Sequence, residues 1–408
     1  NSPRTNQFMK KIYCFFLLFC LGAHASFAQK IRTDVCVYGN TTAALAAGIQ
    51  SARSGVQTLL ISNSDSWIDQ PSLADWENAS IASGLGTELL KKYTQLEKHK
   101  VLKADSLLQS IKTLADTVKN LKIISASTIE EIKESGKGWE LTLKGGQKIK
   151  ALILVDGGTN HALLKQLGLK PSANSAIAFD VTNPLTKTSV GILGPNSLLP
   201  LQALVVEKQA NIVSIPSGVS AFAQLNAGQA AGATAAYCAF FKTTTENLNV
   251  RLIQGELLTY KATLLPFKDM HQTDSNFVAL THVALTGLLN SGIGQNEGTY
   301  QWMGNNNLHT DEIKISMKKL YSRSQIWFAD HANVKELSIG DAISLITYTA
   351  TRGTELKIEI ERGWKSTLGL AGSFNENRKI SRNEFSVLLE AYLQPFATQV
   401  DLQGELIN

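Results

Sequence analysis

Val35 to Tyr38 is a short apolar run that stops at Gly39, and together with the residues up to Ile61 it restricts the fold more than any other stretch. The residues after Gly39 are small, a helical stretch dense in alanine runs on to Gly55, and Thr58 to Ile61 is a second apolar run. Such bounded runs read as buried parallel strands, so strand, small-residue turn, helix and strand make a βαβ unit. In that unit backbone N–H groups at a helix N-terminus can meet phosphate oxygens, and bulky side chains would hold the phosphate away. Gly39, Asn40, Thr41, Thr42, Ala43 and Ala44 are therefore the candidate diphosphate-binding residues. A G-x-G-x-x-G pattern wants glycine at 39, 41 and 44, where this chain has Gly39, Thr41 and Ala44, and Ser62 stands where an acid would grip the ribose hydroxyls.

Downstream, Lys91 to Leu121 carries leucines at helical spacing. Thr128 to Lys133, Trp139 to Lys144 and Lys148 to Val155 then read as a three-stranded meander with glycine turns between. The last strand runs into Asp156, Gly157 and Gly158, which residue type alone reads equally as a backbone edge beside a ligand or as an ordinary turn. Residues 160–200 are short, mixed and proline-bearing; Ala203 to Val206 and Asn211 to Ile215 read as two strands. Ser217 to Tyr237 is a helix of small residues, with Gly228, Ala231, Gly232 and Ala235 on one face fit for close approach to another backbone. Thr243 to Asn249 looks like the exit from this domain. From about Met270 helical units alternate with polar loops. Gly287 to Tyr321 is echoed by Leu368 to Leu393, and capping boxes are expected at Ser381 with Glu384 and Ser338 with Asp341.

The first residues read as a targeting segment. Lys10 and Lys11 precede an apolar core, Ile12 to Leu21, and Ser26, Phe27 and Ala28 make a small-x-small cleavage site. Residues 1–28 are thus expected to be a signal peptide, with an upstream extension over 1–8 before Met9; an uncleaved anchor is the rival. The chain is expected to be exported, periplasmic or extracellular, with no transmembrane span after cleavage. Removing Arg4, Lys10 and Lys11 takes the 39 basic residues to 36 against 34 acidic, about +2, which gives no reason to expect a nucleic-acid partner. Cys36 and Cys238 would remain, as two buried thiols or as a disulfide.

Other chemistry is thinly supported. The histidines outside the leader (99, 161, 271, 282, 309 and 331) lack metal-ligand spacing, so no metal is expected. His161 is the one catalytic candidate, because it follows the Gly-Gly turn. Asp65, Asp69, Asp75 and Glu77 could be read as glycan-cleaving carboxylates, but loop acids give no fixed separation and read better as a solvated surface. Ser217 to Ser220 lacks the G-x-S-x-G of a nucleophile elbow.

Taken in order, these pieces resemble one family. Val37 to Gly55 resembles the opening of exported bacterial FAD-dependent oxidoreductases, some of them labelled xanthan-lyase-like. Leu152 to Gly158, Ser197 to Leu204, Asn211 to Ile215 and Asn226 to Ala236 resemble successive segments of that family. Met270 to Phe396 resembles the S-layer-homology-like region of some relatives. The resemblance implies an α/β fold: a Rossmann-like FAD-binding domain with a β-meander over 29–265, then a small, mostly helical, S-layer-homology-like domain over 266–408. It implies FAD, with Gly39 to Ala44 on the diphosphate and Ser62 and Asn63 facing the ribose. Leu225, Asn226, Ala227, Gly228 and Gln229 would line the isoalloxazine. Flavin would then take a hydride or electron pair from a small-molecule or glycan substrate, with cell-envelope contact through the C-terminal region. The chain departs from the family at Asn40, Ala44 and Ser62, and about forty residues separate Asp156 from Pro200 where a substrate domain is usual. FAD held weakly or lost, in a non-catalytic descendant serving as a binding or envelope module, is the second reading. A polysaccharide lyase is a third, with no Tyr/His/Arg constellation to support it.

Overall fold

The computed structural model describes residues 30–64, 76, 79–96, 103–172, 176–216, 220–296 and 298–407. The expected signal peptide, the acidic residues from Asp65 to Glu77 and His99 lie outside them. The apolar run becomes β1 (Ile31–Tyr38), whose last four residues are all buried. On one side of it lie β2 (Thr58–Ile61) and then β3 (Leu121–Ile124); on the other lies β6 (Lys148–Asp156). All are parallel, with Val37 opposite both Leu60 and Val155. The order of strands therefore reverses beside β1, which opens a crevice at the C-terminal ends of β1 and β6.

The far edge of β6 is shared. The meander strand β5 (Gly138–Leu143) pairs antiparallel with its N-terminal half, Trp139 opposite Ala151, and β4 (Ile129–Ser135) pairs with β5 at the sheet edge. Short β7 (Ile177–Ala178), β8 (Ser189–Gly194) and β9 (Ser197–Pro200) make a separate antiparallel sheet from the proline-bearing stretch. β10 (Ile212–Ser214) runs parallel to the C-terminal half of β6, Ser214 opposite Asp156. Ala203 to Val206 is not a strand. Leu201–Leu204 coils into a 3-10 turn after Pro200, and only Val205 bridges to Val213. A short apolar run can be buried as a turn as well as a strand, and its periodicity does not separate the two.

Helices cover one face of the sheet. These are α1 (Thr42–Arg53), α2 (Leu85–Leu96) and α3 (Ala104–Asp116), where one long helical region was expected; the short α4 (Ala162–Gln166) lies on the meander side. The long α5 (Ala221–Phe241) lies against α1 so closely that a Cβ on Gly228 would sit 2.1 Å from the Ala43 carbonyl oxygen. A Cβ on Gly232 would sit 2.5 Å from that of Ala47, and Ser51 Oγ donates to Gly232 O at 3.0 Å. The stretch read as an exit leads into α6 (Val250–Thr259), whose Val250, Ile253, Leu257 and Leu258 join the same core. Both cysteines are free and buried, Cys36 on the meander side of the sheet and Cys238 on the helical side, so the sheet keeps them from pairing.

The remainder is α7 (Phe277–Thr286), a hairpin of β11 (Gly294–Asn296) and β12 (Thr299–Gln301), then α8 (Thr310–Leu320), α9 (Ser324–Asp330), α10 (Ile339–Ala350), α11 (Glu355–Gly363) and α12 (Arg382–Tyr392). Both expected capping boxes form. The segments entering α8, α10 and α12 bridge one another, Asn307 to Ser381, His309 to Glu336 and Ser338 to Lys379, which adds a third copy to the repeat. Arg382, 1% exposed, pins this centre by donating to the carbonyls of Trp302, Ser291 and Leu289 while bonded to Glu312. One apolar core continues from Val35 to Val400, across residue 265. Among the described residues no helix is long and apolar enough to cross a membrane.

Candidate functional site

The crevice beside β1 is built from two turns laced together. Gly39 has φ +144, and a Cβ on it would lie 2.6 Å from the Gly157 carbonyl carbon, so only glycine fits. Gly39 N donates to Ile61 O at 3.0 Å and Gly157 N to Tyr38 O at 2.9 Å. Thr41 is the N-cap of α1: its Oγ1 accepts from Ala44 N at 3.0 Å and donates to Gly157 O at 2.6 Å. The hydroxyl thus holds the β6 turn against the helix start.

Two donors at this helix start are left over. The N–H groups of Thr42 and Ala43 have no acceptor among the described residues, although the two residues are only 4% and 5% exposed. Buried N–H groups rarely go unpaired, and an adjacent pair at a helix N-terminus suits an anion. Beside them is a cavity of about 260 Å³ lined by Thr41, Ala43, Gly157, Gly158, Thr159 and Gln224, with Ile215 and Pro216. That is below the roughly 300–1,000 Å³ usual for a ligand pocket. It has room for phosphate groups but not for a whole dinucleotide.

The other expected contacts are distributed differently. Ser62 is fully buried; its N–H donates to Ile124 O and its Oγ lies 3.3 Å from Ser64 N, in a turn of its own. Asn63 is exposed, and Asn40 reaches Ser64 Oγ at 3.3 Å. On α5, Leu225, Ala227 and Gly228 are taken up by packing. Asn226 Nδ2 donates to Ile81 O and Ile192 O, while Gln229 joins Gln50 Oε1 to Leu85 N. Of the helix's first turns it is Gln224 that reaches the cavity. Gln224, Thr159, Ile215 and Pro216 were not singled out from the sequence. The last two come directly after β10, and an apolar run ending at proline was the available signal.

Asp156 and His161 lie on the meander side. Asp156 is fully buried, accepting from Gly158 N at 3.3 Å and Leu164 N at 3.0 Å, so it caps α4. Burial nevertheless pushes its carboxyl above the ordinary range. Tyr38, opposite it in β1, is raised by burial and then by the Asp156 charge. His161 adopts a left-handed conformation, φ +48, and its Nδ1 lies 3.2 Å from Ser214 Oγ. Neither His161 nor Ser214 lines the cavity. Among the described residues no His/Cys/Asp/Glu group suits a metal.

No family model and no curated protein matches this chain. Solved structures similar to part of it include T. acidophilum thioredoxin reductase, at 16% identity over 31% of this chain and 34% of that one, TM-score 0.22. Thermovibrio ammonificans THI4 is similar at 15% identity over 59% of this chain and 98% of that one, TM-score 0.32. The Diels-Alderase PyrE3 of pyrroindomycin biosynthesis is similar at 12% identity over 62% and 71%, TM-score 0.35. The chain spans little more than a third of the first structures it matches. At these scores the likenesses decide neither cofactor nor reaction.

Proposed function

We propose that this chain is an FAD-dependent-oxidoreductase-like protein of Rossmann-like fold in which cofactor binding is weakened to its diphosphate end. The observation that carries this is the pair of N–H groups of Thr42 and Ala43 at the start of α1, without an acceptor among the described residues and beside the crevice cavity. Thr41, Ala43, Gly157 and Gly158 would hold the diphosphate, with the N-terminus of α1 adding its partial positive charge. A flavin, when bound, supplies hydride or electron transfer. The ribose end does not fit the expected grip, because a buried serine replaces a carboxylate, a difference of about 1.5–3 kcal/mol for a hydrogen bond to a charged group. Its substrate would be a small molecule or a glycan fragment.

The second reading, a non-catalytic descendant, is favoured by Asn226 and Gln229. Their side chains are spent on Ile81, Ile192, Gln50 and Leu85 instead of facing a ligand. In that reading the C-terminal unit, with its three bridged repeats, is the working part and contacts the cell envelope.

The substitution Thr42→Pro separates the two. Proline is tolerated at the first position of a helix, and Thr41 already has the extended φ −94, ψ 162 that a residue before proline requires. The change deletes one free donor at a position whose backbone suits proline, and circular dichroism of the variant checks that the fold is kept. Under the first reading the wild-type chain takes up FAD in a visible-absorption titration and Thr42→Pro weakens it about tenfold, one charge-assisted hydrogen bond. A colourless wild type that takes up no added FAD refutes that reading and leaves the second.

A further inference from the structure

A larger cavity, about 450 Å³, lies where the α/β unit meets the C-terminal helices. Val181 to Lys187 and Arg251 supply one wall; Thr286 to Ser291, α8 and residues near the C-terminus supply the others. Three of its lining residues are cations, Lys187, Arg251 and Lys319, and among the described residues none has a carboxylate within salt-bridge distance.

Arg251 is the unusual one. It is 4% exposed, yet its acceptors are neutral: Thr398 O, Lys187 O and Gln254 Oε1, with the guanidinium 4.8 Å over the Phe396 ring. Its Nη2 has no acceptor among the described residues. The carboxylate that bears on it, Glu390, is bonded to His282 Nδ1 at 2.8 Å instead. Burying an arginine without a counter-charge is expensive, and burial lowers its pKa to about 10. Lys187 is depressed as well, by burial and then by Lys319, with Arg251 adding to the repulsion and Glu405 opposing it. Of the acids in the lining, Glu312 is occupied by Arg382, which leaves Asp311 at the exposed first turn of α8. The rest of the wall mixes threonine, serine and asparagine side chains with an apolar strip that includes Ile315, Leu320 and Leu406, and Ile315 is 81% exposed, the most exposed large apolar residue among those described.

We propose that this cavity binds a small organic anion, a carboxylate or phosphate head held by Lys187, Arg251 and Lys319 and an apolar body lying against Ile315, Leu320 and Leu406. The arrangement supplies what each part lacks: a counter-charge for a buried guanidinium and two crowded ammonium groups, and cover for an isoleucine facing water. The proposal does not depend on the crevice beside β1, and the ligand need not be a nucleotide.

Calorimetric titration of the full chain with phenyl phosphate, benzoate and inorganic phosphate tests it. Phenyl phosphate or benzoate binds more tightly than inorganic phosphate, because the latter has no body for the apolar wall; which of the two prevails identifies the head. Lys319→Ala, at an exposed position that the fold does not need, and Lys187→Met each weaken that binding about tenfold, one charge-assisted contact. Ile315→Ser narrows the gap between phenyl phosphate and inorganic phosphate. Wild-type protein that binds neither aryl anion at millimolar concentration overturns the proposal. Binding unchanged in both lysine variants also overturns it, and if Thr42→Pro then abolishes that binding, the anion sits at α1 instead.

Discussion

Adding one methyl group at Gly228 should destabilise the fold by forcing two helices apart. A Cβ there would lie 2.1 Å from Ala43 O, 2.8 Å from Ala43 C and 2.8 Å from Ala46 Cβ. The first two are backbone atoms of α1 and cannot rotate away, so the helices must part by about 1 Å along that line. Overpacking of this kind costs about 1–3 kcal/mol, and a rigid obstacle belongs at the upper end. Alanine regains about 1 kcal/mol of helix propensity over glycine, so Gly228→Ala should lose about 2 kcal/mol net. Gly255 on α6 is the control: nothing lies within 4 Å of the Cβ it would acquire. Gly255→Ala should therefore gain about 0.5–1 kcal/mol from the same propensity term. Urea unfolding monitored by circular dichroism would read the two shifts as midpoints moving in opposite directions at unchanged m. Midpoints that move the same way by similar amounts would refute the close α1–α5 contact.

Buried groups carry three further expectations. Arg382→Met strands three backbone carbonyls and the Glu312 carboxylate, so thermal unfolding should show a loss of about 3–5 kcal/mol; a loss below about 1 kcal/mol would mean that the guanidinium does not hold the repeat centre. The raised Asp156 carboxyl makes the folded state bind more protons than the unfolded one between the ordinary aspartate pKa and the raised value, so its contribution to stability falls as pH rises through that window and is flat above it. Asp156→Asn lacks this titration, and its urea midpoint should gain on the wild type across the window; a difference independent of pH would contradict the assignment. Cys36 and Cys238, both buried with thiol pKa pushed up to about 12, should resist alkylation at pH 8 in the native protein and react in urea, as read by peptide mass spectrometry.

The central unit was legible because its signals are local. Val35 to Tyr38, the glycine that ends it and the alanines beyond dictate strand, turn and helix with little help from distant residues. The meander was legible for the same reason, through glycine turns between alternating runs. Leu201–Leu204 and the β7–β9 sheet were not, since strands of two to six residues take their pairing from partners far along the chain or across a turn, and an apolar run carries no record of that partner. The cavity holding Arg251 was beyond sequence reading altogether. Its three cations come from positions 187, 251 and 319, far apart in the chain, and the packing of α6 and α8 around the cavity brings them together.

The small residues of the crevice explain why a dinucleotide fold can be recognised while its ligand stays in question. Gly39 is required by the backbone of Gly157, Gly157 by Ala44, Gly228 and Gly232 by the carbonyls of α1, and Thr41 by the helix it caps. Each would be needed for packing even if no phosphate ever entered, so their presence alone reports the fold. The backbone N–H groups of Thr42 and Ala43 differ, because no protein acceptor among the described residues uses them and a cavity lies beside them. The cavity that borders Ala43 is lined by Thr41, Gly157, Gly158, Thr159 and Gln224 as well, so these donors are the part of the helix start that packing does not explain.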